Sequence, residues 1–496
     1  MLAYAAPMGA DVEEQRFSRG DRMRHREKVR RCLDALRRMV EEDRFTVDDC
    51  TGLEMELNLV GPEGRPALRN DEVLAHLEDP DFVTELGQWN LEINVPPRLI
   101  AGDGLQAYER GMRDSLNRAE QRAAELDVGL LTIGILPTLL APHVDGSTIS
   151  ANPRYSMLND AVLAERGEDV LLDIEGDHER LRTTSDSIMP EAACTSVQLH
   201  VQVSPQSFAG WWNAAQAISG IQLALGANSP YLLGHALWAE SRVPLFEQAT
   251  DTRSEELKVQ GVRPRVWFGE GWCEGVTDLF DENTRYFAGL LPIVEDEDPM
   301  EVLDAGGCPQ LRELLMHSST VWRWNRPVYD VSGGEAHLRV ENRVLPAGPT
   351  VLDTTANAAF FFGLARGLVE TPRPPWTRMS FDAAFESFQA GARHGIDAEV
   401  YWPGVGQVSA TELVLRRLLP VAHEGLRAWG CDEESVDRYL GVIQGRCTTR
   451  TNGASWFTGK VKDAEGRGMS REDALHGVVA DYRAAMHSNE PVHTWS

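Results

Sequence analysis

The chain has 496 residues, 48 Lys plus Arg against 76 Asp plus Glu, and a formal net charge of −28. That acidity excludes a general nucleic-acid or anionic-membrane binder, because such surfaces need basic patches; an anionic substrate must be held by local arginines or by bound cations. The four lysines (Lys28, Lys258, Lys460 and Lys462) follow no Gly-rich run, which excludes a P-loop, and the seven cysteines form no C-x-x-C pair, which excludes zinc-ribbon and thioredoxin sites and points to a reducing, cytoplasmic compartment.

The first fifteen residues have no basic start and no sustained apolar stretch, so no signal peptide is expected. Residues 13–45 place Val29, Cys32, Leu33, Leu36 and Val40 at helical spacing, and 1–45 reads as an N-terminal helical extension. A second charged helix is expected over 105–127. Residues 128–140 are the longest apolar run, too short and interrupted by Pro137 to span a membrane. Asn152 of Asn152-Pro-Arg-Tyr155 suits a helix cap as well as a binding role. Residues 207–228 are apolar nearly all round, which predicts a buried helix. Gly269–Gly275 does not fit a dinucleotide fingerprint, and the acidic run 295–307 is expected to be a loop. Helices follow over 354–369, 410–428 and 433–444. The polar, Gly-containing segment 445–468 is expected to be a mobile lid, within a helical C-terminal segment 431–496. His143, His235 and His423 sit singly and read as structural, and the pairs Trp211/Trp212 and Trp322/Trp324 read as packing residues.

Four segments alternate with period two, so their side chains point to opposite faces of a strand. In 53–59 one face is Leu, Met, Leu, Leu and the other is Glu54, Glu56 and Asn58. In 91–95 the polar face is Glu92 and Asn94. In 197–203 it is Gln198, His200 and Gln202, and in 337–344 it is His337, Arg339, Glu341 and Arg343. A single such strand is ordinarily half solvated. Together, however, these faces carry no Lys, Ser or Thr. If they share one sheet face, their carboxylates converge and repel unless cations lie between them. Oxygen-rich ligands with one imidazole suit Mg²⁺ or Mn²⁺. Arg339 and Arg343 would hold an anion against such metals, and phosphate matches their fork geometry. These are the parts phosphoryl transfer requires. Spacing alone does not join the four strands; their meeting on one face is a premise.

In chain order, Gly52-Leu-Glu54-Met-Glu56, Asn90-Leu-Glu92, Asn152-Pro-Arg-Tyr155, Gln198-Leu-His200-Val-Gln202, Ser229-Pro-Tyr231, Glu240-Ser-Arg242 and Arg339-Val-Glu341-Asn-Arg343 form a set that resembles the glutamate–cysteine ligase type 2 family. Phe388–Arg393 and Thr451–Trp456 are similar to later segments of that family. The resemblance implies a glutamine-synthetase-like fold and an ATP- and Mg²⁺-dependent (or Mn²⁺-dependent) ligase that joins a glutamate side-chain carboxylate to an amine such as that of cysteine. It puts Glu54, Glu56, Glu92, His200 and Glu341 on metal-ligand positions and Arg343 on the nucleotide phosphates. With Arg343, Gln198 and Gln202 are candidates for the nucleotide, and Arg339 for the transferred phosphoryl group. Arg242, Arg253, Asn94 and Tyr155 are candidates for the amino-acid substrate. The stretch from Arg253 to Val331 departs from the family pattern and leaves the acceptor open.

The expected fold class is α+β, a curved, mostly antiparallel sheet whose polar concave face holds the site, with helices packed on the other side. Because the candidate residues run from 54 to 343, one large catalytic domain is expected over 46–430. The expected partners are small amino-acid substrates, with no nucleic acid and no membrane. A metal-dependent amide or phosphate hydrolase on the same acidic sheet, and an inactive binding relative, stand as alternatives.

Overall fold

The computed structural model describes residues 17–496. The signal-peptide expectation lies outside them, as do the first residues of the N-terminal extension. The frame is a seven-stranded sheet built from β1 (Thr51–Val60), β2 (Phe82–Thr84), β3 (Asn90–Arg98), β4 (Gly129–Leu131), β5 (Val197–Val203), β6 (Asn325–Ser332) and β7 (Glu335–Asn342). Its order is β6-β7-β5-β1-β3-β2, with β4 beside the end of β1. Every pairing is antiparallel. The α+β expectation and the curved antiparallel sheet are borne out, and the four alternating segments all lie in this one sheet.

Alternation decides which face is which. Leu53, Met55, Leu57 and Leu59 of β1 and Val197, Leu199 and Val201 of β5 are buried in one apolar cluster, with Leu338 and Val340 of β7. Each such side chain contributes roughly 1.5–3 kcal/mol when fully buried. The helices that cover this face have the sequence character the position demands. α1 (Arg19–Glu41) opens on a capping box between Ser18 and Asp21 and buries Val29, Cys32, Leu33 and Leu36. α2 (Gly104–Ala124) turns Tyr108 inward, where its hydroxyl donates to the Thr51 carbonyl at 2.6 Å. α3 (Phe208–Gly226) is buried almost throughout, as its all-round apolarity predicts. Its few amides are paired: Gln222 with Asn342, and Gln216 with Asn325, at the ends of β7 and β6. α4 (Val351–Val369) completes this layer, capped by Thr350 on the Asp353 amide.

Three expectations need correction. Residues 295–307 contain a short helix, Pro299–Asp304, because Asp298 caps it and Pro299 starts it. The helix over 410–428 is interrupted by a π turn at Val414–Leu418, just ahead of Pro420, which has no amide hydrogen to give the ladder. Segment 445–468 is not a lid. It is the end of one helix (Glu433–Thr449) and the whole of the next (Gly453–Gly466), which Asn452 caps. Trp456, Phe457 and Val461 are buried in a second apolar cluster, so the glycines punctuate packed helices instead of hinging a loop.

Leu57 is fully buried at the centre of the sheet. Leu57→Ala is expected to lower stability by about 2–5 kcal/mol, read as a lower urea midpoint with an unchanged m-value.

Candidate active site

The polar side of the sheet is a set of transverse rows. In one, Arg326 of β6, Glu341 of β7, His200 of β5 and Gly52 of β1 stand side by side. In the next, Gln198, Glu54 and Asn94 align. In the third, Glu56 faces Glu92 directly across β1 and β3. Gly52 has a steric reason to be glycine: a Cβ there would come 3.3 Å from the Cβ of His200, whose ring lies over it. These rows floor a cavity of about 450 Å³. Its walls come largely from outside the seven-stranded sheet: Glu85 just after β2, Arg154 and Tyr155 at the start of the helix Pro153–Arg166, Glu191 on a 3-10 turn, and Trp322.

Glu56, Glu85 and Glu92 present carboxylate oxygens that all lie within 4.8 Å of one another. Two charges at that spacing repel by roughly 3 kcal/mol at an effective dielectric of about 20. Burial, reinforced by Glu56 and Glu191, pushes Glu85 up to about 8. Burial and Glu56 do the same to Glu191, also to about 8. Glu92 is raised well above the carboxylate range by burial and then by Glu54, Glu85 and Glu56. Glu54 goes the other way. Burial opposes its charge, but His200, with Nε2 at 3.2 Å, and Arg326 outweigh it and hold the carboxyl low.

The cationic side is built with equal care for hydrogen bonds. Glu341, wholly buried, accepts from Arg326 Nε at 2.6 Å and Arg343 Nη1 at 2.8 Å. Burial would raise it, but the two guanidinium groups and His200 hold it down at about 2. Gln198 is the bridge between the two halves. Its Oε1 accepts from Arg343 at 2.8 Å, and its Nε2 donates to Glu56 and to Glu92, each at 3.2 Å.

Of the residues expected at the site, Glu54, Glu56, Glu92, Gln198, Arg343 and Tyr155 line the cavity. Glu341 and His200 stand in the adjacent row of the same face. Both oxygens of Glu341 are engaged by arginine, so here it anchors guanidinium groups. Arg242 lies behind the cavity wall, buried, with Nε on Glu240 and Nη2 on the Val344 carbonyl. Arg339 does not reach the cavity: two residues along β7 from Glu341, it points to Asp330 at 3.3 Å and to His337. Gln202 is similarly displaced and pins the approach to β1, accepting from the Asp48 amide and donating to the Thr46 carbonyl. Arg253 is turned away, onto Asp251 and the Val262 carbonyl. Asn94 shares the polar face but does not line the cavity. Asn152 caps its helix, as expected, and lines the cavity. Trp322 packs edge-on against Phe246, as expected, and is also a wall. Glu85, Glu191, Arg154 and Arg326 escaped the sequence reading. Arg326, in the alternating run Asn325–Ser332, and Arg154, inside the segment Asn152–Tyr155, left signals that could have found them.

Residues 50–474 match the glutamate–cysteine ligase family 2. The chain belongs to this family. The fold is similar to that of a glutamate–cysteine ligase from Francisella tularensis in complex with AMP, at 12% identity and a TM-score of 0.53, covering 90% of this chain and 91% of that one. It is also similar to a bifunctional glutathione synthetase from Pasteurella multocida, at 11% identity and a TM-score of 0.52, covering 92% of this chain and 55% of that one. No curated protein matches this chain significantly. What is shared with the solved structures at this identity is the fold.

The side chains present fit the divalent cation that the family resemblance implies. The donor set is oxygen-rich, the clustered carboxylates repel one another, and Nδ1 of buried His200 is without a hydrogen-bond partner. Glu56, Glu85, Glu92 and Glu54, with His200, would hold it.

A pH test follows from the sign of these shifts. Glu85 and Glu191 rise from an ordinary 4.5 to about 8 on folding. Their contribution to stability is whole below 4.5 and is lost as pH rises through 8. In EDTA, the melting temperature of the wild type relative to Glu85→Gln is expected to fall between about pH 5 and about pH 9. Mn²⁺ is expected to raise the wild-type melting temperature far more at the alkaline end. Parallel profiles for the two proteins would remove the buried, proton-sharing carboxylates.

Proposed function

We propose that this member of the family is an ATP- and divalent-cation-dependent carboxylate–amine ligase that forms a γ-glutamyl amide with a small amino acid, cysteine being the first candidate acceptor. The observation that carries it is the single cavity in which clustered carboxylates face Arg343 and Arg326 across Gln198. Family membership supports the ligase reaction, and the AMP bound by the Francisella tularensis enzyme supports a nucleotide site on this fold. The seven cysteines are all free, which suits the reducing, cytoplasmic setting that is part of the proposal. Among the described residues no helix is long and apolar enough to cross a membrane.

In the proposed reaction a donor carboxylate takes the γ-phosphoryl group of ATP, with release of ADP, and the acyl phosphate then loses phosphate to an attacking amine. A divalent cation, when bound, would supply charge neutralisation on the phosphate oxygens. The chain's own side chains do the rest. Arg343 and Arg326 are held by Glu341 before any substrate arrives, so no reorganisation is needed when charge builds on the phosphoryl oxygens. Gln198 fixes the orientation of Arg343. Val83, Leu86, Leu158 and Ile188 on the walls limit water, which would hydrolyse an acyl phosphate. Arg154 and Tyr155 stand where a substrate carboxylate or amine can be oriented. Glu85 and Glu191, protonated near neutrality without a cation, can accept the proton the amine sheds once their protons have been displaced.

ADP formation with glutamate and single amino acids, followed by mass spectrometry of the product, tests the proposal. The expected result is ADP stoichiometric with an amide, and a loss of at least about 100-fold in Glu54→Gln, with the melting temperature in EDTA preserved. Undiminished turnover in Glu54→Gln, or amide cleavage that proceeds without ATP, would overturn it.

A further inference from the structure

A second cavity, of about 300 Å³, lies between α1 and the segment 284–292. It is the electrostatic opposite of the first: no carboxylate lines it, in a chain of net charge −28. Arg22, Arg26 and Arg30 recur every fourth residue, so they share one face of α1, and Arg285 faces them from the other wall. Among the described residues none of the four has an acidic partner, whereas Arg24, Arg31, Arg37 and Arg38 on the same helix are all paired with Asp or Glu.

The floor carries a second, independent feature. His25 and His317 are 2% and 4% exposed and both line the cavity. The Nδ1 of His25 lies 2.8 Å from the Ile293 carbonyl and the Nε2 of His317 lies 3.0 Å from the Asn283 carbonyl, so those nitrogens are the donors. Burial keeps both rings neutral, lowering His25 and bringing His317 to about 4. The remaining nitrogens, His25 Nε2 and His317 Nδ1, are therefore lone-pair acceptors, and neither has a partner. They converge over Gly289, where a Cβ would lie 2.9 Å from one and 3.7 Å from the other. Two unpartnered acceptors beneath four unpaired guanidinium groups call for a ligand that is anionic and also carries an O–H or N–H donor.

We propose that this cavity is a second ligand site, which takes a small phosphate-bearing anion, free or esterified. The charged oxygens meet Arg22, Arg26, Arg30 and Arg285, and P–OH or neighbouring hydroxyl groups, one for each ring, donate to the two imidazoles. The site is separate from the ligase cavity but adjoins it through one helix end: His317 is on this floor, and Ser319, two residues on, lines the first cavity.

The test is calorimetric titration of the full chain in EDTA at constant ionic strength, with inorganic phosphate, ribose 5-phosphate and sulfate as separate probes. Saturable binding with a Kd of about 1 mM or tighter is expected for at least one phosphate probe. The stronger of the two tells a free from an esterified ligand. Sulfate, which has no proton to donate at neutral pH, is expected to bind at least about threefold more weakly. Arg26→Glu combined with Arg30→Glu is expected to weaken phosphate binding by at least about tenfold, with circular dichroism and ligase turnover unchanged, because both side chains are exposed and outside the ligase cavity. Arg285→Ala, on the opposite wall, is expected to weaken binding in the same direction and guards against a local defect in α1. Absence of saturable phosphate binding, or binding unaltered in both variants, would overturn the site. Equal binding of sulfate and phosphate would overturn the role given to the imidazoles.

Discussion

The molecule is organised around a repulsion. Carboxylates from β1, β3 and the turn after β2 are brought within 4.8 Å of one another in a buried place. At roughly 3 kcal/mol per charged pair, such a cluster can exist only if protons, arginines or cations share it. The same residue type therefore splits into two populations. Glu341 is held at about 2 by Arg326 and Arg343 and is always charged. Glu85 and Glu191, near 8, keep their protons at neutral pH. The first population fixes the arginines; the second relieves the repulsion by staying neutral.

Such a cluster needs a rigid support, and the other face of the sheet supplies it. Leu53, Met55, Leu57 and Leu59 lie between the residues that carry the charges, so each acid is bracketed in sequence by side chains buried in the core. A one-residue slip of β1 would put Glu54 and Glu56 into that core, so register is strongly specified. The antiparallel pairing on both sides of β1 then turns fixed register into fixed distances between Glu56, Glu92 and Gln198.

What was legible in the sequence follows from this. Period-two alternation exposed Glu54, Glu56, Glu92, His200 and Glu341, because a strand reports the face of every residue. It could not report depth along the face, so Arg339 and Gln202, in phase with the site residues, were placed on substrates although they sit at the far end of their strands. Glu85 and Glu191 were invisible for the converse reason: turns carry no periodicity, and only the closure of the fold aims them inward. Segment 445–468 misled because Gly and polar residues mark helix ends as readily as mobile loops, and only the burial of Trp456 and Phe457 tells the two apart.

Chemistry and selectivity thus reside on different elements. The floor, made of strands, carries the charges that any phosphoryl transfer to a carboxylate needs. The walls are Val83 and Thr84 of β2, Glu85 and Leu86, Arg154 and Leu158, Ile188 and Glu191, and Trp322, and apart from the β2 residues and Trp322, on a two-residue strand, none is part of a strand. A wall residue can change without shifting the register of a single strand, whereas Glu341 cannot be replaced without leaving Arg326 and Arg343 buried and uncompensated, a loss of about 3–5 kcal/mol when one partner of a buried pair is removed. That asymmetry is in keeping with a fold shared with a glutamate–cysteine ligase at 12% identity.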